Sequence, residues 1–105
     1  MWKVFVEKPF KNCERIHPLQ QKKVARMLED FKQDNNIIKV IVFGSSVTVQ
    51  CHNDSDLDLY VVLDQEKKVI KNYYDFVYDL WTNFSVDTKL LKEIEQKGVI
   101  VYERQ

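Results

Sequence analysis

The order of apolar and polar positions along the chain predicts a succession of strands and helices. Trp2 to Val6 alternates weakly, as a short edge strand does. From Pro18 onward Val24, Met27, Leu28 and Phe31 recur at i, i+3, i+4 and i+7, the spacing of an amphipathic helix. The polar cluster Gln33-Asp34-Asn35-Asn36 ends it. Ile37 to Phe43 is nearly continuous aliphatic sequence rich in β-branched residues, which reads as a buried central strand. Gly44 to Ser55 is small and polar, with room for one helical turn at most. Asp56 to Leu63 alternates, placing Leu57, Leu59, Val61 and Leu63 on one face and Asp56, Asp58, Tyr60 and Val62 on the other.

The remainder predicts a helix over Glu66 to Trp81, with Val69, Tyr73, Phe76, Val77 and Leu80 as its main stripe. Ile70, Tyr74 and Trp81 form a second stripe, wider than one sheet face covers, and that excess suggests a protein contact. Phe84 to Asp87 is expected as a short strand, and Thr88 as the N-cap of a helix running to Lys97, with Gly98 at its C′ position. Val99 to Tyr102 closes the chain as a last strand. Such an order predicts an α/β or α+β fold, a mixed β-sheet flanked by helices.

A length of 105 residues suits a single domain spanning 1–105. Sixteen basic and sixteen acidic side chains cancel, which argues against a protein that coats nucleic acid or an anionic membrane. Cys13 and Cys51 fit neither a disulfide framework nor a zinc site. With no secretory h-region near Met1 and no apolar run of membrane-spanning length, the expected location is cytoplasmic.

Glycine is scarce, with only Gly44 and Gly98 present, so each is expected where the backbone demands it. Gly44-Ser45-Ser46 follows a buried strand, and such a turn either cradles a phosphate or is simply a turn. Asp56 and Asp58, at i and i+2 on a strand, leave the same face, so their carboxylates repel unless a cation lies between them. Paired hard oxygens suit Mg²⁺, although two solvated aspartates on an exposed strand face would have the same spacing. A phosphate cradle beside a metal pair makes up the two halves of a phosphoryl-transfer site. Asp87 is expected to supply a third carboxylate from the neighbouring strand. Cys51-His52 is adjacent in sequence, which disfavours convergence on one metal centre.

Gly44-Ser45, ten intervening positions, and then Ser55-Asp56-Leu57-Asp58 resembles the signature of the polymerase beta-type nucleotidyltransferases, most closely the minimal nucleotidyltransferases of prokaryotes. The resemblance runs from Ile37 onward. It implies a nucleoside triphosphate, usually ATP, as donor and two Mg²⁺ ions as cofactors. It further implies Gly44, Ser45 and Ser55 as nucleotide-binding residues and Asp56, Asp58 and Asp87 as catalytic metal ligands. One ion would activate an acceptor hydroxyl while the other neutralises the α-phosphate and leaving pyrophosphate. A catalytic core of 105 residues is expected to rely on a partner or a second copy, as in a homodimer, for the acceptor, and the resemblance favours a helical HEPN-type protein in a toxin–antitoxin pair. Ser46 and Val49 stand where the family commonly has an arginine and a second glycine. Those departures keep open a degenerate, binding-only copy of the fold. An aminoglycoside-type enzyme acting on small molecules is the remaining alternative.

Overall fold

The computed structural model describes residues 1–105. Helix α1 (Pro18–Phe31) leads into β1 (Ile37–Phe43), followed by β2 (Leu57–Leu63), β3 (Tyr78–Thr82), α2 (Thr88–Lys97) and β4 (Val99–Glu103). The four strands form one sheet in the order β3-β2-β1-β4. β1 is antiparallel to both β2 and β4, whereas β2 and β3 run parallel, so the sheet is mixed. This is an α+β arrangement with one helix on each face.

Alternation along the strands sorts the core into two layers. Leu57, Leu59, Val61 and Leu63 of β2 join Val40 and Val42 of β1 beneath Val24, Met27, Leu28 and Phe31 of α1. The opposite face carries Ile41, Phe43 and Tyr60, covered by Ile94, Leu90 and Leu91 of α2. An irregularity between Ile37 and Lys39 lets both Ile37 and Val40 serve the α1 layer. Start signals at α1 agree with the sequence: Pro18 occupies the first turn, and the His17 ring accepts a hydrogen bond from the Leu19 N–H at 3.1 Å.

Three expected elements are corrected. Trp2 to Val6 pairs with no strand; Gln21, fully buried in α1, takes its place as a partner. The Gln21 side chain accepts from the Phe5 N–H at 2.8 Å and donates to the carbonyls of Lys3, Cys13 and Ile16. Residues 66–77 form no helix, and Tyr78 to Trp81 belongs to β3. The operative periodicity there is two: Tyr74, Phe76, Tyr78 and Leu80 turn toward the α1 layer, whereas Tyr73 and Val77 are exposed. Aromatic and β-branched residues favour this extended course, and the free edge of β2 supplies backbone partners for it. The Tyr74 hydroxyl anchors the segment, donating to Asp30 Oδ2 at 2.5 Å with the Arg26 guanidinium over its ring. Tyr74 is therefore buried, and no second helical stripe exists to mark an interface.

Phe84 to Asp87 likewise forms no strand. The Asn83 side chain bridges to the backbone of Leu63, and Ser85 folds back on Thr82. Asp87, rather than Thr88, is the N-cap of α2. Gly98 closes that helix as its C-cap at φ −72°, and a Cβ there would lie 2.5 Å from Ile41 Cγ2.

Candidate active site

The end of β1 and the start of β2 bring the motif residues together. Phe43 pairs with Asp58 across the antiparallel ladder, so Gly44, the next residue, lies against the Asp58 side chain. Gly44 adopts φ +74°, and a Cβ at this position would overlap Asp58 Oδ2. Any other residue would be strained by its backbone and would displace the carboxylate. The chain then makes a single 3-10 turn over Gly44–Val47, which no side chain caps. Ser45 stays partly accessible, and its carbonyl accepts from both the N–H and hydroxyl of Thr48.

Ser46 turns inward instead. It is fully buried, and its hydroxyl accepts from the Gln20 amide at 3.1 Å. The same amide donates to the carbonyl of Ser55 at 3.2 Å, and the His17 N–H donates to the Ser46 carbonyl at 2.8 Å. The first turn of α1 therefore fastens both ends of the loop that separates Gly44 from Asp56. The Ser55 hydroxyl accepts from the His52 N–H at 3.0 Å, and the His52 ring accepts from the Asp54 N–H at 3.2 Å. His52 and Ser55 thus stitch the loop internally. Cys51 is buried beside them and free. Val49 is 85% exposed at the loop's outer edge, where its bulk meets nothing.

β2 begins at Leu57, one residue later than the alternation predicts, so Asp56 lies just ahead of it and is exposed, while Asp58 within it is half-buried. Parallel pairing sets Asp58 opposite Asp79 of β3, so a second strand delivers a carboxylate to the same face. Glu93 of α2 adds its field from above the sheet. Burial, followed by repulsion from Asp79, Asp56 and Glu93, pushes the Asp58 carboxyl up from 3.8 to about 6.

Asp87 does not join this group. Its carboxylate accepts from the Leu90 N–H at 2.7 Å and so completes the first turn of α2. Asp87 lies at the head of α2, and the carboxylate set opposite Asp58 across the sheet is Asp79 of β3, in a segment whose spacing also satisfies a helix. The available signal was an acid alternating with large apolar residues in Tyr78-Asp79-Leu80-Trp81.

The donor set suits a hard divalent cation. Asp58 and Asp79 come from adjacent strands, with Asp56 just ahead of β2, and the repulsion they and Glu93 exert on Asp58 is what such an ion would relieve. These carboxylates do not converge into a ready-made metal cage.

A family model described as "Polymerase beta, Nucleotidyltransferase" matches residues 25–105. Among solved structures, the fold is similar to a chain in the crystal structure of a toxin-antitoxin MntA-HpeT mutant, with a TM-score of 0.60 at 19% identity over 80% of this chain and 73% of that one. It is also similar to a chain in a crystal structure of a toxin-antitoxin with AMP-PNP, with a TM-score of 0.62 at 22% identity over 80% of this chain and 73% of that one. No curated protein matches the sequence.

Proposed function

The chain belongs to the polymerase beta nucleotidyltransferase family, and from that premise we propose that it transfers a nucleotide, AMP from ATP, to a hydroxyl on a partner protein. Its setting in this reading is a toxin–antitoxin pair in which this chain is the nucleotidyltransferase and the partner is a helical HEPN-type protein. Support for the setting comes from the likeness to chains described in toxin–antitoxin crystal structures, one of them with AMP-PNP. The observation that carries the chemistry is the strand register, which sets Asp58 beside Asp79 on one side and against Gly44 on the other.

In this reading Gly44 and Ser45 receive the triphosphate, because hydrogen at the Gly44 Cα lets the chain pass close to Asp58 without a side chain in the way. Asp56, Asp58 and Asp79 would hold the divalent cations. Bound there, such ions would lower the pKa of an acceptor hydroxyl and neutralise charge on the phosphates. Asp79, on the outer strand, and Asp56 are both exposed, so an acceptor can reach either from solvent. Asp58, more enclosed and electrostatically crowded, fixes the Gly44 side of the site. Ser55 holds the loop through its hydroxyl and carbonyl, and the hydroxyl proton is left to donate to the nucleotide.

The binding-only alternative drew on Ser46 and Val49. Ser46 is committed to Gln20 in the interior, and Val49 lies out in solvent, so neither closes the phosphate side of the site. Transfer of label from α-³²P-ATP to a co-purified helical partner in the presence of Mg²⁺ tests the proposal. Label should appear with the native chain and vanish with Asp58→Asn. A native chain that binds no Mg-NTP overturns the reading, and binding without transfer to any partner favours the degenerate copy.

A further inference from the structure

A pocket of about 290 Å³ opens beside the Gly44 turn on the α2 side of the sheet. Gly44, Ser45, Thr48 and Gln50 line it from the loop, and Glu93 and Lys97 line it from α2. Lys97 is the one basic side chain in the lining, and it makes no ion pair, although Glu93 lies one turn earlier on the same helix. The surrounding charge is otherwise negative, from Asp56, Asp58, Asp79 and Glu93. A triphosphate entering beside the Gly44 turn adds further negative charge, and cations at the aspartates answer only part of it. The residue after Gly-Ser does not supply the balance: Ser46 is buried under Gln20 and faces away from solvent.

Resting on the nucleotidyltransferase reading, we infer that Lys97 is the phosphate-binding cation of this site, reaching from the last turn of α2 to the phosphate chain of the nucleoside triphosphate at the Gly44 turn. A flexible ammonium with three donors suits an anion whose charge sits at the end of a mobile chain. A lysine in the last turn also complements the helix macrodipole, and that role alone would leave nucleotide affinity untouched.

Calorimetric titration of the full chain with Mg-ATP, Mg-ADP and AMP separates the two roles, using Lys97→Met and Lys97→Arg. Because Lys97 is exposed, both variants keep the fold, which a thermal melt verifies. Lys97→Met should weaken Mg-ATP binding about ten-fold, the usual scale for a lost charge-assisted contact, while AMP binding is unchanged and Lys97→Arg restores the affinity. Unchanged Mg-ATP affinity in Lys97→Met, or an equal loss for AMP, overturns the assignment and leaves the functional reading standing. A native chain that binds no Mg-NTP overturns both.

Discussion

Gly44 and Asp58 are fitted to each other, since the positive φ and the space filled by Asp58 Oδ2 both exclude a Cβ at residue 44. Gly44→Ala should therefore lower stability by about 1–3 kcal/mol, the left-handed backbone and the displaced carboxylate each contributing. Thermal melts read the loss, and Mg-NTP affinity should fall with it; a variant of native stability and affinity would show that the turn tolerates a side chain. Asp58 carries the opposite tension. Its carboxyl is pushed up to about 6 from 3.8, so between these values the folded chain retains a proton that the unfolded chain has lost. Stability of the metal-free protein should accordingly fall as pH rises through this window and recover on acidification toward pH 5. With allowance for solvent screening at a half-buried group, the difference between pH 5 and pH 7 is about 1–2 kcal/mol. Asp58→Asn should flatten that profile and raise the pH 7 melting temperature in EDTA, while abolishing transfer.

Among the elements, β3 and α2 occupy the part of the chain where local spacing predicts the end of one helix, a short strand and a second helix. β3 pairs parallel with β2 and carries Asp79 to the site; α2 begins at the Asp87 cap and lays Ile94 and Leu91 over Phe43 and Tyr60. Substitutions at the two aspartates should therefore differ in kind. Asp79→Asn should cut transfer by roughly two orders of magnitude or more with little change in melting, as loss of a charge at a reacting centre does. Asp87→Ala should cost about 1 kcal/mol of stability through the lost cap while transfer persists. Parallel activity and stability assays on the two variants check this, and the reverse pattern would return Asp87 to the site. The first turn of α1 has an analogous structural part, since the fully buried Gln20 ties Ser46 to Ser55 and so sets the span between the Gly-Ser turn and Asp56.

For the whole molecule, the two core layers on either side of the sheet hold the motif strands rigid, while the carboxylates repel across β2 and β3. Ligands that neutralise this repulsion should stabilise the fold as a unit. At a hundred-fold excess over its dissociation constant, Mg-ATP should add about 2.7 kcal/mol, raising the melting temperature by roughly 10 °C or more for a chain of this size. EDTA should remove the shift, which differential scanning fluorimetry reads directly; an ATP shift that survives EDTA would count against cation-dependent binding. No helix is long and apolar enough to cross a membrane. Of the large exposed apolar residues, Tyr73 and Val77 lie in the 66–81 segment and Phe84 just beyond it, and they do not form the continuous helical stripe expected of an interface.

By itself the sequence determined whatever depended on near neighbours along the chain. The α1 spacing, the aliphatic run of β1, the alternation of β2 and the amphipathic α2 are local periodicities, and each element lies where its period put it. Gly44, Asp56 and Asp58 were legible for the same reason, since a turn and an i, i+2 pair are read from a few consecutive residues. Residues 66–82 were not legible, because Tyr73, Phe76, Val77 and Leu80 satisfy a helical stripe while Tyr74, Phe76, Tyr78 and Leu80 satisfy a strand. Only the tertiary structure chose between them, through the backbone groups that the edge of β2 offers to a distant segment. That choice fixed Asp79 as the neighbour of Asp58 and released Asp87 to cap a helix. A strand exists only with its partner, and a partner supplied by a parallel crossing cannot be found from local period alone.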